Sequence, residues 1–465
     1  MQYIFKMKNR ILPAFTLLNN IINKGQDRSV KAKKNIIASF FIKGLSIGIG
    51  LLLVRLTIDY INPSRYGVWL TINSIVAWFS FFDIGLSQGL RNKFAAAVAK
   101  GDHSLAQIYV STTYAILGIV FLVLWVLFLL LNHYLNWASI LHISQSMQAE
   151  VSTLAIIVFT YFCLQFVLRI ITTIITASQE SAKASLIDVF GQIFSLILVV
   201  ILVKTTAGSL IKLGIALCLA PLLVLLAANF FFFKGAFKKY RPVVSRVKFS
   251  FAKGLFNLGL VFFIIQVAGI IQYETANIII ARHFGTAEVT SYNIVYKYFG
   301  MLTMIFIIFV TPFWSASTEA YLKNDIKWIK NGIKKYNLLN ILLLALGILM
   351  LVFSNEIYTL WLGKGKVTIP FSLSLWGFIF FNVSMFSSKY VYFLNGISAL
   401  RIQFWASVIS PVLYVITAIV LIRYYQMGVY ALFIASVVAN FNGFFLAPFQ
   451  YHQVINKNKK GIWIK

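Results

Sequence analysis

The sequence is dominated by long apolar stretches that recur along the whole chain. A helix needs about 20 consecutive apolar residues to cross the hydrocarbon core of a bilayer, and twelve stretches reach roughly that length. They run approximately over residues 36–58, 66–90, 105–131, 150–176, 183–203, 210–233, 255–281, 289–314, 336–354, 369–394, 401–422 and 428–451. With 60% hydrophobic and 11% charged residues, the composition is also too apolar for an ordinary soluble domain. We therefore predict an all-α polytopic membrane protein of about 12 transmembrane helices.

Basic residues are distributed unequally between the two ends of these predicted spans. They cluster in residues 1–35, in residues 234–253 and in residues 452–465, whereas the intervening loops on the other side carry few of them. Because Lys and Arg resist translocation, this asymmetry predicts that both termini are cytoplasmic. Residues 1–35 also place apolar side chains on one helical face, which predicts an amphipathic arm along the membrane surface.

The most basic connector divides the predicted spans into two sets of six. The predicted parts are a cytoplasmic arm (1–35), an amino-terminal lobe (36–233), a basic connector (234–253), a carboxy-terminal lobe (254–451) and a basic tail (452–465). The strings IDYINPSRYGVW and ARHFGTAEVTSY occupy corresponding places in the two lobes, so Asn62-Pro63 and Gly285-Thr286 are predicted to be matching turns. Pseudo-symmetric lobes around a central cavity are a known transporter plan.

Four cations interrupt the predicted spans, namely Lys43, Arg169, Lys297 and Lys389. A charge at the centre of a spanning helix costs about 2.5 to 3.5 kcal/mol on insertion scales, so such residues usually serve a pathway or a partner. Each shares a helical face with polar residues, as in a helix that lines a water-filled cavity. We predict that they line a central cavity and bind an anion; structural pairing or snorkelling is the alternative. Arg55 and Asp59 lie one helical turn apart near the outer surface, and we predict that they form an interfacial ion pair.

Three acidic residues also lie within predicted spans or at their ends, namely Asp83, Asp188 and Glu274. A carboxylate shielded from water holds a proton more readily than one in solution, so all three are candidates for ion coupling. Static ion pairs are the alternative, either between Glu274 and Lys297 or between Asp83 and Arg91.

Other kinds of chemistry find no support in the sequence. The net charge of +29 comes from cations scattered at span ends, so a nucleic-acid-binding face is not predicted. Cys163 and Cys218 lie in apolar segments without paired spacing, and the five histidines lack metal-ligand spacing. The string GKGK at 363–366 lacks the full phosphate-loop pattern. We therefore predict no metal, no cofactor, no ATP-driven step and no enzymatic activity.

Three strings of the sequence are more specific than its composition. They are YGVWLTINSIVAWFSFFDIGLSQGLRNKFAAAVAKGD at 66–102, EVTSYNIVYKYF at 288–299 and TPFWSASTEAYLKNDIKWIK at 311–330. Together they resemble the Wzx-type polysaccharide flippases, which share a superfamily with the multidrug and toxic-compound extruders. The resemblance covers essentially all the predicted spans and implies a V-shaped molecule of two six-helix lobes around a central cavity.

The resemblance also implies a substrate and a cycle. Similar proteins move undecaprenyl-diphosphate-linked oligosaccharides, such as an O-antigen or capsule repeat unit, from the cytoplasmic to the periplasmic leaflet of the bacterial inner membrane. The family's cationic lumen maps onto Lys43, Arg169, Lys297 and Lys389, with Arg91 near the inner mouth. Amides such as Gln165 and Asn293 are candidates for contacts to sugar hydroxyls, while the isoprenoid tail remains in membrane lipid.

The resemblance leaves several alternatives open. Alternating access is expected to be coupled to an opposing flux of protons or sodium ions, and an association with polymerase and chain-length proteins is left open. A drug or cation exporter of the same superfamily is one rival. An O-antigen polymerase-type membrane enzyme is the other, although the sequence offers neither a large external loop nor a cytoplasmic acidic motif.

Overall fold

The amino-terminal half of the chain forms a series of long helices joined by short turns. The computed structural model describes residues 27–83, 86–178, 180–252, 274–397 and 399–464, and within these ranges it contains helices and no strand. The helices of this half are α1 (Asp27–Ile61), α2 (Pro63–Ala77), α3 (Leu86–Ala99), α4 (His103–Asn132), α5 (Trp137–Leu141), α6 (Gln148–Leu168), α7 (Ile170–Ala177), α8 (Ser181–Thr205) and α9 (Leu210–Lys234).

The carboxy-terminal half repeats this pattern after a connector of short 3₁₀ turns. Its helices are α10 (274–284), α11 (Thr286–Leu322), α12 (Ile326–Val352), α13 (Ser354–Leu362), α14 (Phe371–Gly396), α15 (Arg401–Arg423), α16 (Ala431–Ala439) and α17 (Ala447–Ile455). The connector is tied to α4, because the backbone N–H groups of Val243 and Lys248 donate to the hydroxyls of Ser111 and Thr112 at 3.1 and 3.0 Å.

The described residues contain nine helices that are long and apolar enough to cross a membrane. The bent pair α16 and α17, which meet at 43°, makes a tenth candidate. These ten correspond to ten of the twelve predicted spans. The predicted second span is divided between α2, a 3₁₀ segment at Trp78–Asp83 and α3. The predicted seventh span lies largely outside the described residues.

The ends of the helices follow from local side-chain chemistry. Asn62 adopts a positive φ of 71°, and its side chain accepts a hydrogen bond from the Arg65 N–H at 3.0 Å. Pro63 can then occupy the first turn of α2, where no intrahelical N–H bond is lost. Asp102 and Asp325 cap α4 and α12 in the same way through their carboxylates. Such caps supply partners for N–H groups that a helix leaves unpaired.

Helix packing defines two lobes. In the amino-terminal lobe α1 packs on α8, α8 on α9, and α6 on both α4 and α9. In the carboxy-terminal lobe α14 packs on α11 and α12, and α15 packs on α16. Between the lobes α2 lies against α11, and α13 contacts α1. The lobe boundary is therefore formed by α1 and α2 on one side and α11 and α13 on the other.

Candidate functional site

A polar cavity of about 550 Å³ lies inside the amino-terminal lobe, between α1, α6, α8 and α9. Its lining includes the charged residues Lys43, Arg169 and Asp188. The amides of Gln165 and Gln192 also face it, and Gln192 accepts a hydrogen bond from Ser46 at 2.8 Å. The structure thus brings together four of the residues predicted for substrate binding or ion coupling. We call this space the amino-terminal cavity.

Arg169 stands at a break in the fourth span, where α6 ends and α7 begins. The carbonyl of Leu168 at this break accepts a hydrogen bond from the Asn229 side-chain amide of α9 at 2.8 Å. The same amide group donates to the Leu225 carbonyl, and its oxygen accepts a hydrogen bond from the Tyr114 hydroxyl at 2.7 Å. Asn229 therefore holds the backbone that positions Arg169. The sequence did not predict this role, because Asn229 is neither charged nor part of a longer polar stripe.

Replacing Asn229 by leucine is expected to destabilise the amino-terminal lobe. The variant removes the side-chain partner of the Leu168 carbonyl and one of the partners of the Tyr114 hydroxyl. Loss of a hydrogen-bond partner typically costs about 1 to 3 kcal/mol for buried groups. We expect the free energy of unfolding in a detergent titration to fall by that amount. Asn382→Leu is the matched control, because its amide bonds only the Phe378 carbonyl one turn back in its own helix. An equal loss in the two variants would contradict the positioning role.

The Arg169 guanidinium is paired inside the cavity but remains partly hydrated. Its Nη2 atom lies 3.3 Å from both carboxylate oxygens of Asp188. The two side chains are 53% and 48% exposed, so their attraction is screened and contributes only about 0 to 1 kcal/mol. Lys43 is exposed, and no carboxylate among the described side chains lies within 4.0 Å of it. Both cations are consequently available to a stronger anionic partner.

A second polar cavity, of about 250 Å³, lies between the lobes. It is lined by side chains of α2, α6, α10 and α11, among them Asn73, Ser74, Tyr161, Gln165, Glu274, Asn277 and Asn293. Asn277 donates to Ser74 at 2.8 Å, and Asn293 donates to Asn277 at 2.7 Å, so this chain of amides crosses the lobe boundary. Since Tyr161 and Gln165 also line the amino-terminal cavity, the two spaces adjoin.

The other predicted site residues lie elsewhere. The Lys297 ammonium donates to the Tyr66 hydroxyl at 3.2 Å across the lobe boundary, and the described residues contain no ion pair between Lys297 and Glu274. Lys389 is fully buried beside a separate groove of about 550 Å³ between α12 and α14, where it donates to Asn340 at 2.6 Å. The fold therefore does not place all four cations in one central pocket.

Two further candidates lie near the inner end of the second span. Arg91 is exposed on α3 and does not line either of the two adjoining cavities. The Asp83 side chain is not among those that the structure describes, so its pairing with Arg91 stays a prediction.

Several contacts between the lobes lie at the end of the molecule that the charge distribution predicts to be outside, which we call the outer end. The two predicted turns meet there: the hydroxyls of Ser64 and Thr286 are 2.9 Å apart, and Thr290 donates to the Pro63 carbonyl at 2.7 Å. The Trp361 indole N–H donates to the Leu51 carbonyl at 2.8 Å. These contacts hold the outer end closed.

An ion pair completes the outer contact and corrects one prediction. Asp59 pairs with Lys366 of the opposite lobe, not with Arg55 in its own helix. Arg55 is exposed instead. Residues 307 positions apart in the chain give no sequence signal of their contact.

Comparison with known proteins agrees with this architecture. No family model matches the sequence. The chain is similar to a curated protein described as a putative O-antigen transporter of Salmonella typhi, with 20% identity over 370 residues that cover 78% of this chain and 83% of the relative. Among solved structures it is similar to an inward-facing multidrug resistance MATE family transporter of the MOP superfamily, with a TM-score of 0.72 and 14% identity over 90% of this chain and 96% of that one.

The chain shares the fold of this solved structure. The predicted all-α architecture of two six-helix lobes is thereby confirmed. An outward-facing structure of a MATE family transporter matches less closely, with a TM-score of 0.60 and 15% identity over 92% of this chain and 97% of that one.

Proposed function

We propose that this protein moves a lipid-linked oligosaccharide with a diphosphate headgroup from the cytoplasmic to the outer leaflet of a bacterial cytoplasmic membrane. The observation that carries the proposal is the pair of cations, Lys43 and Arg169, in a polar cavity of an otherwise apolar lobe. Two cations against one carboxylate, Asp188, favour an anion over a cationic drug in that cavity. The similarity to a putative O-antigen transporter supports the same class of cargo.

The chemistry of the cargo fits the cavity lining. A guanidinium presents a rigid fork of donors that binds phosphate oxygens in pairs, whereas an ammonium acts as a point charge, so Arg169 and Lys43 suit neighbouring phosphates. The adjoining amide of Gln165 offers donors and an acceptor for sugar hydroxyls. The isoprenoid tail can stay in the bilayer, because a long hydrocarbon chain gains nothing from entering a polar space.

Asp188 has a defined place in this proposal. It neutralises Arg169 while the cavity is empty, and an incoming diphosphate replaces it. The half-exposed pair is weak enough for that exchange, whereas an unpaired guanidinium in an apolar lobe would be costly. Together with Glu274, Asp188 is our candidate for coupling transport to an ion gradient.

Replacing Asp188 by asparagine is expected to tighten binding of the headgroup. The variant removes the competitor for Arg169, and a pair worth at most about 1 kcal/mol corresponds to an affinity gain of up to about fivefold. We expect a lower Kd for undecaprenyl diphosphate, measured by microscale thermophoresis. Glu180→Gln is the control, because it breaks the similar Lys183 pair at 2.9 Å outside the two cavities. Weaker binding in Asp188→Asn would contradict the exchange.

Alternating access requires the outer end to open. The described polar contacts at the outer end are three hydrogen bonds, each worth about 0.5 to 1.5 kcal/mol net, and one partly exposed ion pair, beside the packing of α2 on α11. Polar contacts of this size can be overcome by a difference of a few kcal/mol in cargo affinity between the two states.

Headgroup movement in proteoliposomes tests the proposal. A fluorescent lipid-linked oligosaccharide is placed in both leaflets, and a membrane-impermeant quencher reports how fast the inner-leaflet pool reaches the outside. We expect faster loss of fluorescence than in protein-free vesicles, without growth of the glycan. Ethidium efflux without headgroup movement would instead identify a drug exporter, and glycan elongation would identify a polymerase.

A further inference from the structure

A groove of about 850 Å³ runs along the outside of the carboxy-terminal lobe between α11 and α12. Its walls are Phe309 and Phe313 of α11 and, on α12, side chains from Trp328 to Leu342. That stretch of α12 contains 15 residues and rises about 21 Å from its first Cα atom to its last, at 1.5 Å per residue. The hydrocarbon of one leaflet is about 15 Å deep, so the groove is long enough for one lipid chain and its headgroup.

The groove faces the bilayer, not the cavities between and within the lobes. Leu338 and Leu342 on its wall are each 60% exposed, and α12 has the smallest buried fraction of the nine candidate spans in the described residues. No residue lines both this groove and either of the two adjoining polar cavities. Its occupant must therefore be a component of the membrane or a molecule delivered through it.

The floor of the groove is held in a fixed shape. The Phe313 ring stacks on Trp328 with a centroid distance of 5.8 Å and meets Tyr336 edge to face at 5.0 Å. The Tyr336 hydroxyl donates to the Phe309 carbonyl at 3.0 Å. A methyl group on Gly332 would come within 2.7 Å of the Phe313 ring, so the two helices approach as closely as glycine permits. A rigid apolar wall favours a bound chain over a loosely collapsed surface.

Cations lie midway along the α12 side of the groove. Lys334 and Lys335 line the groove and are exposed, and among the described side chains no carboxylate lies within 4.0 Å of them. Lys327 and Lys330 lie one to two turns nearer the predicted cytoplasmic end. Among the described side chains Asp325 forms no ion pair with them, and its carboxylate accepts a hydrogen bond from the Trp328 N–H at 3.0 Å.

The depth of these cations matches a lipid headgroup. α12 has 27 residues, about 40 Å, whereas the hydrocarbon core is about 30 Å thick, so its first turns extend beyond the hydrocarbon. Lys334 and Lys335 can thus reach the headgroup level while Leu338 and Leu342 lie among acyl chains. Basic clusters at this depth attract anionic lipids by about 1 kcal/mol for each cation.

We propose that this groove binds one anionic phospholipid of the cytoplasmic leaflet. The phosphate group contacts Lys334 and Lys335, and an acyl chain lies along Leu338, Leu342 and Phe309. The site is separate from the cargo site of the proposed function and does not depend on it. A bound lipid joins α11 to α12, and α11 also carries the outer lobe contact through Thr286 and Thr290.

Native mass spectrometry of the purified protein tests this site with two lipids of like acyl chains, phosphatidylglycerol and phosphatidylethanolamine. We expect phosphatidylglycerol to bind to the unaltered protein and to lose at least about tenfold in affinity in Lys334→Gln/Lys335→Gln, while phosphatidylethanolamine changes little. Lys238→Gln/Lys239→Gln is the matched control, since it removes the same charge from exposed lysines of the connector. An equal loss in that control would overturn the proposal in favour of general surface charge.

A second variant fills the groove without changing its charge. Leu342→Trp places a bulky ring where the acyl chain lies, and we expect it also to weaken phosphatidylglycerol binding by at least about tenfold. Unchanged binding in Leu342→Trp would overturn the groove as the site. Added undecaprenyl diphosphate that displaces phosphatidylglycerol at equal concentration would also overturn the proposal, because the groove would then be an entry site for cargo.

Discussion

Arg169→Gln is expected to slow headgroup movement in proteoliposomes by about 10- to 100-fold. Hydrogen bonds to charged groups are worth about 1.5 to 3 kcal/mol, and a loss of 1.4 kcal/mol corresponds to a factor of ten. The glutamine retains an amide but lacks the charge and the forked donors that suit a diphosphate. The rate should fall while insertion and helix content stay unchanged, because the Arg169–Asp188 pair contributes little to stability.

Two controls separate a cargo contact from a general loss of charge. Lys183→Gln breaks an ion pair in which the lysine is as exposed as Arg169, at 54% against 53%, but outside both polar cavities. Lys389→Met removes a buried cation from the separate groove between α12 and α14. Both variants should transport within about twofold of the unaltered protein. Normal transport in Arg169→Gln, or equal losses in all three variants, would refute the amino-terminal cavity as the headgroup site.

Helical periodicity predicts much of the amino-terminal cavity from sequence. Gln165 and Arg169 are four residues apart and so share a face of the fourth span, as Asp188 and Gln192 do in the fifth. A polar face on an otherwise apolar helix has to turn toward water or toward another polar face, so these two stripes point at each other. The structure places all four residues on one cavity.

The same reasoning cannot fix how a helix is rotated relative to the rest of the molecule. Asn382 and Lys389 are seven residues apart and share a face of α14, as the sequence indicates. That face turns toward α12 and the lipid side instead of toward the lobe boundary. A polar stripe defines a direction on its own helix, and only the packing of the neighbouring helices decides what the stripe meets.

Contacts between residues far apart in the sequence are even harder to predict from the sequence. The Asp59–Lys366 pair and the Trp361–Leu51 hydrogen bond join loops and helices of different lobes, with no periodic pattern to mark either partner. The turns at Asn62-Pro63 and Gly285-Thr286 could be predicted because Pro, Gly and Asn interrupt apolar runs. That these turns touch each other follows from the arrangement of the lobes, which fixes the closed outer end.

Gly67→Ala is expected to open that outer end. A methyl group on Gly67 would overlap the carbonyl oxygen of Thr286, where α2 and α11 approach backbone to backbone. Overpacking typically costs about 1 to 3 kcal/mol, and here separation of the lobes relieves it. The closed state should therefore lose about 5- to 150-fold in population relative to the open one, and a protein held open at one end cannot complete an alternating-access cycle.

Reactivity of a cysteine at Thr286 measures this opening. Thr286 is buried in the closed contact, and the native Cys163 and Cys218 are buried within the amino-terminal lobe, so an impermeant maleimide added outside reports mainly on the new thiol. Thr286→Cys should label at least about fivefold faster in the Gly67→Ala background. Gly118→Ala is the control, because nothing lies within 4 Å of its added methyl group. Unchanged labelling in a folded Gly67→Ala protein would mean that the close approach of α2 and α11 does not hold the lobes together.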